Sequence, residues 1–320
     1  MNIKFLLMLC LVALLPQQAL AHKVPTNIKE ITLSKVADDV YVVHGVRGMP
    51  DKANQGFISN SGIVVTDEGI VIVDTGGSLK YGEMLLKKIS EVSDKPVIAV
   101  INTHLHGDHW LGNAAIRKAY PKVKIYAHEK TVSRLKAGEA DTWMDMFATS
   151  IGKDVAGAEA VIPDITLKHG DSLDLAGNTY KMHHTGKAHT DGDIMIEHPA
   201  RKLLFAGDVI VNNSVPSSAR PQDFNAKGQI AAIEHALTLD VDTIVPGHGA
   251  TGGREIAEAP LEYLKVLHSS VQHYFDEGLQ DFEMRDKVVA DLVKFKDWDL
   301  EDIGRQISFV YLQVEAEEFE

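Results

Sequence analysis

Short apolar runs alternate with turn-forming clusters through the first quarter of the chain, and this pattern predicts a β-meander. Val40–His44, Phe57–Asn60, Gly62–Thr66 and Ile70–Asp74 are the runs, and Asn60-Ser61-Gly62 and Asp67-Glu68-Gly69 supply turns between them. The period then lengthens. Ser78 is placed to cap a helix whose apolar face is Leu79, Met84, Leu85 and Ile89. Pro96–Ile101 is wholly apolar, the mark of a strand buried on both faces. A helix over Gly112–Tyr120 and a strand over Val123–Tyr126 follow, then a helical or irregular stretch, Glu129–Ala160, with Trp143, Met144, Met146 and Phe147 clustered to pack on the core, the alternative being a flap that carries aromatics over a site. Strand patterns return at Ile165–Lys168, Ser172–Leu175, Thr179–His184, Asp193–Glu197 and Leu203–Ala206, ahead of a helix near Ile230–Leu239 and a strand at Thr243–Val245. The two halves share an order of meander, helix and short strand, which suits two sheets packed face to face with helices outside. Beyond Gly253 the spacing is helical: Leu261, Leu264, His268, Val271 and Phe275 form one stripe, Ile303, Ile307, Val310, Tyr311 and Val314 another, and Pro260 suits a first helical turn. The expected organisation is therefore a sandwich domain over residues 22–252 and a C-terminal helical extension over 253–320, with a frayed acidic end at 315–320.

The first 21 residues stand apart. Lys4 precedes the unbroken apolar run Phe5–Leu15, Pro16 breaks it, and Ala19-Leu20-Ala21 is a small-x-small site, so a signal peptide cleaved before His22 is expected and with it a periplasmic or secreted location. The run is short for a membrane span of about 20 residues, so no membrane partner is expected after cleavage. Cys10 is the only cysteine and lies within this segment, which leaves the mature chain no disulfide, thiolate ligand or cysteine nucleophile. The formal charge of −13 becomes −14 when Lys4 leaves with the signal, and there is no basic run, so nucleic acid is disfavoured as a partner.

Catalysis then falls to oxygen and nitrogen groups, and these are concentrated in Thr103-His104-Leu105-His106-Gly107-Asp108-His109. In an extended turn, residues two apart point the same way, so His104 and His106 can meet one metal ion, while Asp108 and His109 diverge towards a second position. Imidazole and carboxylate suit zinc, and also iron or manganese. Four such groups within six residues are seldom coincidental surface residues.

His-x-His-x-Asp-His is similar to the signature of the metallo-β-lactamase superfamily, and further parts of that pattern follow in order: Asp74 in Ile72-Val73-Asp74-Thr75-Gly76, His189 in Gly186-Lys187-Ala188-His189-Thr190-Asp191-Gly192-Asp193, Asp208 in Phe205-Ala206-Gly207-Asp208, and His248 in Val245-Pro246-Gly247-His248-Gly249. The resemblance runs from about Phe57 to His248. It implies an α/β four-layer αβ/βα metallo-β-lactamase sandwich with two metal ions, expected to be zinc. It implies one ion held by His104, His106 and His189, a second by Asp108, His109 and His248, and Asp208 as the bridge. This is the glyoxalase-II-like and lactonase-like set. It has aspartate where the main β-lactamase subclass has a cysteine ligand, which counts against β-lactamase activity. Asp74 is implied to orient the ligand loop, and Asp193 to do likewise for the His189 loop. Asp108 is expected to act in catalysis, and a water bridging two divalent ions is acidic enough to supply hydroxide at neutral pH.

Lys187 and Arg220 flank these loops and are candidates for binding a substrate carboxylate, with a solvent-facing role as the alternative. The loop Val46–Gln55 and the segment Val211–Arg220 are candidate pocket walls. The phrases Asn54–Asn60, Asp74–Ser78, His109–Asn113 and Phe309–Leu312 resemble an exported SoxH-like group associated with quinoprotein and sulfur-oxidation systems. The resulting expectation is an exported dinuclear zinc hydrolase acting on an ester, thioester, lactone or lactam-type bond of a small-molecule substrate, the substrate class that the resemblance, and not the charge, implies. Its alternatives are an iron-dependent persulfide dioxygenase-like oxidoreductase and a β-lactamase. A flavodiiron role is disfavoured by His106, where those proteins carry glutamate.

Overall fold

The computed structural model describes residues 25–216, 220–298, 300 and 302–318, so the expected signal peptide lies outside the described residues. Seven strands form the first sheet in sequence order: β1 (Leu33–Ala37), β2 (Val40–Val43), β3 (Ser61–Val65), β4 (Ile70–Val73), β5 (Val97–Ile101), β6 (Lys124–His128) and β7 (Ile165–Leu167). The pairs from β1 to β4 are antiparallel and those from β4 to β7 parallel. The second sheet contains β8 (Ser172–Leu175), β9 (Asn178–His183), β10 (Met195–His198), β11 (Leu203–Val211) and β12 (Thr243–His248) in the order β12-β11-β10-β9-β8, antiparallel except for β11 with β12.

The helices are α1 (Leu79–Ile89), α2 (Gly107–Trp110), α3 (Asn113–Ala119), α4 (Glu129–Arg134), α5 (Ala140–Ile151), α6 (Lys153–Ala156), α7 (Ala226–Ala236), α8 (Glu255–Asp276), α9 (Asp281–Asp291) and α10 (Ile303–Glu317). Three buried clusters define the layers. Val42, Val64, Val71 and Ile101 of the first sheet meet Met182, Ile196, Leu203 and Phe205 of the second between the sheets. Tyr81 and Leu85 of α1 and Ile116 of α3 cover the outer face of the first sheet with Ile63, Ile72 and Val100. Ile233 of α7, with Leu264 and Leu267 of α8 and Ile307 and Val310 of α10, covers the second. This is the αβ/βα sandwich expected, and the C-terminal helices share one core with its outer helix. Among the described residues no helix is long and apolar enough to cross a membrane.

Several elements differ from the sequence expectation. Phe57–Asn60 is irregular, because its polar groups are committed elsewhere: the Phe57 carbonyl accepts from Val46 N–H, and Asn60 donates to the Pro246 and Gly249 carbonyls. Pro260 lies inside α8. The Glu255 carboxylate accepts from Gly253 N–H and starts the helix early, and the buried face Ile256, Ala257, Pro260, Tyr263 and Leu264 carries it past the proline. β11 continues to Val211, so Asp208 stands within a strand and not in a turn after one.

Candidate metal centre

Asp74 follows β4, the loop 102–109 follows β5, Asp208 lies in β11 and His248 ends β12, so the chemistry-bearing residues gather at one end of the two sheets. In both sheets the contributing strands are parallel neighbours there, β4 with β5 and β11 with β12, the end where such sheets place their sites. The β11–β12 register shifts on either side of Gly207, and such an irregularity re-aims side chains. Gly247 is required here, since a Cβ at that position would overlap Asp208 Oδ1.

The side chains converge as two contiguous groups whose potential ligand atoms lie within 4.8 Å of one another: His104, His106, His189 and Asp208 in the first, and Asp108, His109 and His248 in the second. The rings of His104, His106 and His189 face each other at centroid separations of 4.8, 5.0 and 4.6 Å. His189 Nε2 stands 2.8 Å from His106 Nδ1 and 3.3 Å from Asp208 Oδ2. Asp208 Oδ1 is 3.2 Å from His109 Nε2, and Asp208 Oδ2 is 3.3 Å from His248 Nε2 and 3.9 Å from His104 Nε2, so this carboxylate touches both groups. Asp108 Oδ2 lies 3.1 Å from His248 Nε2 and 3.4 Å from His109 Nε2. The floor is buried, with His104 and His109 at 1% and 0% exposure, while the His248 side chain is 27% exposed and marks the open side.

Four of the five imidazoles have the nitrogen that points away from the centre tied down. His109 Nδ1 donates to Asp74 Oδ2 at 2.8 Å. His248 Nδ1 donates to the Ile58 carbonyl at 2.9 Å. His106 Nε2 donates to Asp223 Oδ2 at 3.4 Å. Thr103 Oγ1 gives its proton to Asp74 Oδ2 at 2.7 Å and so accepts from His104 Nδ1 at 3.0 Å. Each bond fixes the tautomer that leaves a lone pair facing inward, the arrangement by which metal-binding histidines are oriented. His104 Nε2, His109 Nε2 and Asp208 Oδ1 are buried without a well-aligned hydrogen bond among the described residues, and the 3.2 Å contact between the last two is favourable only with a positive charge there, on the imidazole or on a cation.

The electrostatics point the same way. Burial opposes ionisation of Asp108 and Asp208, yet the surrounding histidines hold both carboxyls well below the ordinary range. Burial and the neighbouring His109 push His104 well down, and burial lowers His189 to about 3. Loss of hydration disfavours charge on His109 and on the rim residue His248 too, but Asp208 and Asp108 outweigh that, raising His109 well above its ordinary value and His248 to about 10. A buried carboxylate group that holds imidazoles protonated is one that attracts positive charge.

Asp74 also accepts from Thr103 N–H at 2.8 Å and thereby fixes the start of the ligand loop. Asp193 accepts from Thr190 N–H at 2.7 Å and Thr190 Oγ1 at 2.6 Å beside His189, and burial pushes its carboxyl up to about 7. Lys187 is exposed on the same loop. Arg220 pairs with Asp223 and Glu139, and its guanidinium lies 5.0 Å over the Trp143 ring. Of the expected pocket walls, the loop 46–55 presents Met49 at 72% exposure, and residues 217–219 of the other lie outside the described residues.

Sequence reasoning missed Asp223, which is fully buried and bound by both Arg134 and Arg220. It preferred a core role for Trp143 over a place above a site, whereas the ring is a wall of the site, 4.9 Å from that of His106. Neither sits in a motif. The one available signal was Trp143 in an apolar cluster, and that pattern also describes an ordinary core helix.

Residues 54–248 match the metallo-beta-lactamase superfamily. The chain is 26% identical over 261 residues to a linear primary-alkylsulfatase of Pseudomonas sp. (strain ATCC 19151), an alignment covering 71% of this chain and 49% of that protein. The chain therefore spans about half the length of that relative. An acyl-coenzyme A thioesterase of Bos taurus is 28% identical over 224 residues, covering 62% of this chain and 76% of its own length. A metallo-beta-lactamase from Pontibacter korlensis superposes with a TM-score of 0.60 at 21% identity, covering 74% of this chain and 99% of that one, a likeness of fold. With well over half of its length matched to the family and the family's fold reproduced in both sheets, the chain belongs to the metallo-beta-lactamase superfamily.

Proposed function

We propose that this protein is a dinuclear, zinc-dependent hydrolase of an ester-type bond, exported from the cytoplasm by the segment expected as a signal peptide. One observation carries the reading: seven potential ligands form two contiguous groups, and four of the five histidines have the outer nitrogen tied so that the inner one is left as a lone-pair donor. The residues fit metal ions, because nitrogen and carboxylate donors of this kind suit zinc and the buried unpartnered atoms are the ones an ion would meet. His104, His106 and His189 would hold one ion, Asp108, His109 and His248 the other, with Asp208 between them. Two such ions supply a Lewis acid for a substrate oxygen and activate a water as the nucleophile.

The chain's own groups do the rest. Asp108 faces the open side beside His248, is held as an anion, and has its backbone fixed by a hydrogen bond from Ser59 Oγ to its carbonyl. It is placed to accept a hydrogen bond from an attacking water and to aim it. Trp143 and the His106 ring it packs on close one side against solvent. The relatives named as an alkylsulfatase and an acyl-coenzyme A thioesterase favour sulfate esters and thioesters as first substrates to try, beside carboxylic esters, lactones and β-lactams.

The test is metal analysis of protein purified without added metal, followed by a panel of dodecyl sulfate, palmitoyl-coenzyme A, an acyl-homoserine lactone and nitrocefin, with and without chelator. About two zinc ions per chain and a chelator-sensitive hydrolysis are expected. A folded protein that takes up no divalent metal overturns the reading. Iron together with oxygen consumption on glutathione persulfide would replace it with a dioxygenase. Sequencing the N-terminus of the mature protein tests export, with His22 the expected first residue.

A further inference from the structure

Five of the fifteen histidines belong to the metal centre, and three others gather on the outer face of the second sheet. His183 ends β9, His235 projects from α7 above it, and His169 lies in the loop between β7 and β8. His183 Nε2 donates to Glu197 Oε2 of β10 at 2.9 Å, and its Nδ1 accepts from His235 Nε2 at 3.0 Å. The His183 and His235 ring centroids are 5.0 Å apart, and that of His169 is 6.4 Å from each.

This constellation repeats the one at the metal centre atom for atom in its first two imidazoles. There, His106 Nε2 is tied to the carboxylate of Asp223 and its Nδ1 faces His189 Nε2 at 2.8 Å. Here, His183 Nε2 is tied to Glu197 and its Nδ1 faces His235 Nε2. A carboxylate behind an imidazole fixes its tautomer and raises the basicity of the nitrogen that faces away. Glu197 is buried, so it is committed to this bond, with Lys181 Nζ as a weaker partner at 3.9 Å. Burial and the neighbouring His183 and His169 hold His235 below the ordinary histidine value, so it is neutral and available as a ligand.

We propose that His169, His183 and His235, with Glu197 behind them, form a second, solvent-facing site for one late first-row divalent cation, separate from the interior centre. His183 Nδ1 and His235 Nε2 would be the fixed ligands. Binding displaces the proton on His235 Nε2, which moves to Nδ1 by way of solvent. His169 is exposed and closes the site by turning its ring, giving up the 3.2 Å hydrogen bond it accepts from His184 N–H at a position where water can replace it. Three imidazoles and an open position suit zinc, nickel or copper and are poor for magnesium or calcium.

The test uses zinc as the probe and untagged full-length protein. Bound zinc per chain is measured by equilibrium dialysis in the wild type, in His169→Ala/His235→Ala and in His104→Ala/His109→Ala. The surface variant should bind one ion fewer than the wild type and keep its interior complement. The interior variant should lose interior ions and keep the surface one. Equal zinc in the wild type and the surface variant overturns the proposal, and the His183–His235 pair is then a hydrogen-bonded pair sharing a proton. Should a variant fail to fold, the wild type decides alone: the imidazole NMR resonances of His183 and His235 shift together at one further equivalent of zinc after the interior is filled, and unshifted resonances overturn the site.

Discussion

Asp74→Asn separates a metal-orienting carboxylate from one that only pins a strand end. Asp74 receives three hydrogen bonds of 2.7–2.8 Å, from Thr103 N–H, Thr103 Oγ1 and His109 Nδ1. Its backbone is left-handed at φ 58°, a conformation asparagine tolerates, so the substitution adds little backbone strain. An asparagine oxygen can still accept from Thr103 N–H. Its amide nitrogen, placed where Oδ2 was, meets the His109 Nδ1 proton with one of its own. The imidazole escapes by moving its proton to Nε2, the nitrogen that faces Asp208 at 3.2 Å and Asp108 at 3.4 Å. That proton occupies the position a cation would take. The lost bond is charge-assisted and worth about 1.5–3 kcal/mol, which converts to roughly 10- to 150-fold in a dissociation constant. Removing such outer partners commonly costs about 10- to 100-fold in metal affinity. Competition against a chromophoric zinc chelator reads this directly, with urea unfolding of the metal-free protein as the control. A folded Asp74→Asn protein that is destabilised but binds zinc with wild-type affinity refutes the orienting role and leaves Asp74 a structural tie.

Three further outcomes are expected. Asp208→Asn keeps the size but removes the charge that touches both groups, so zinc stoichiometry should fall, mainly at the Asp108, His109 and His248 position, and hydrolysis with it; two ions and normal turnover would count against bridging. Asp223→Asn weakens the tie on His106 and should lower zinc affinity by about tenfold, less than Asp74→Asn because the bond is longer at 3.4 Å, as read by the same competition. Burial, with His184 next to it, lowers His128 to about 4, so folding favours its neutral form; this contribution is complete above about 6.5 and is lost as pH falls towards 4, at no more than about 1.4 kcal/mol per pH unit. Urea midpoints measured across that range should fall with pH, and His128→Asn, which keeps a helix-capping side chain at the start of α4, should flatten the slope.

The parts of the centre that were legible in the sequence are those fixed by local geometry. His104, His106, Asp108 and His109 lie on one turn, and their divergence follows from residue spacing alone. The two sheets were legible because buried parallel strands such as β5 are apolar throughout. Long-range commitments were not. Phe57–Asn60 has the composition of a strand, yet the Ile58 carbonyl serves His248 and Ser59 serves the Asp108 carbonyl, residues far along the chain. β1, with no buried residue among Leu33–Ala37, has too little apolar contrast to be seen. Asp223 has neighbours in sequence that say nothing of Arg134 or His106, and only the folded chain brings them together.

The buried groups of the centre also bear on why the fold surrounds it so tightly. Asp74, Asp108 and Asp208 share histidine partners, and each is held by a hydrogen bond from outside its own element: Asp74 by Thr103, the Asp108 carbonyl by Ser59, and the Asp208 carbonyl by Gln229 of α7. Three carboxylates gathered in a buried pocket repel one another and lose hydration, a cost that hydrogen bonds offset only in part. Imidazoles protonated on their inward nitrogens reduce that cost, but each such proton disables a lone pair that the outer hydrogen bonds have been arranged to present. The same residues therefore favour opposite states of His109 and His248: the inner carboxylates favour the charged ring, while Asp74 and the Ile58 carbonyl aim a neutral one. A divalent cation would resolve the conflict, since it would supply positive charge at the inner nitrogens and leave the outer protons in place. The tied outer nitrogens, and not the count of histidines, are what set this centre apart from a polar core.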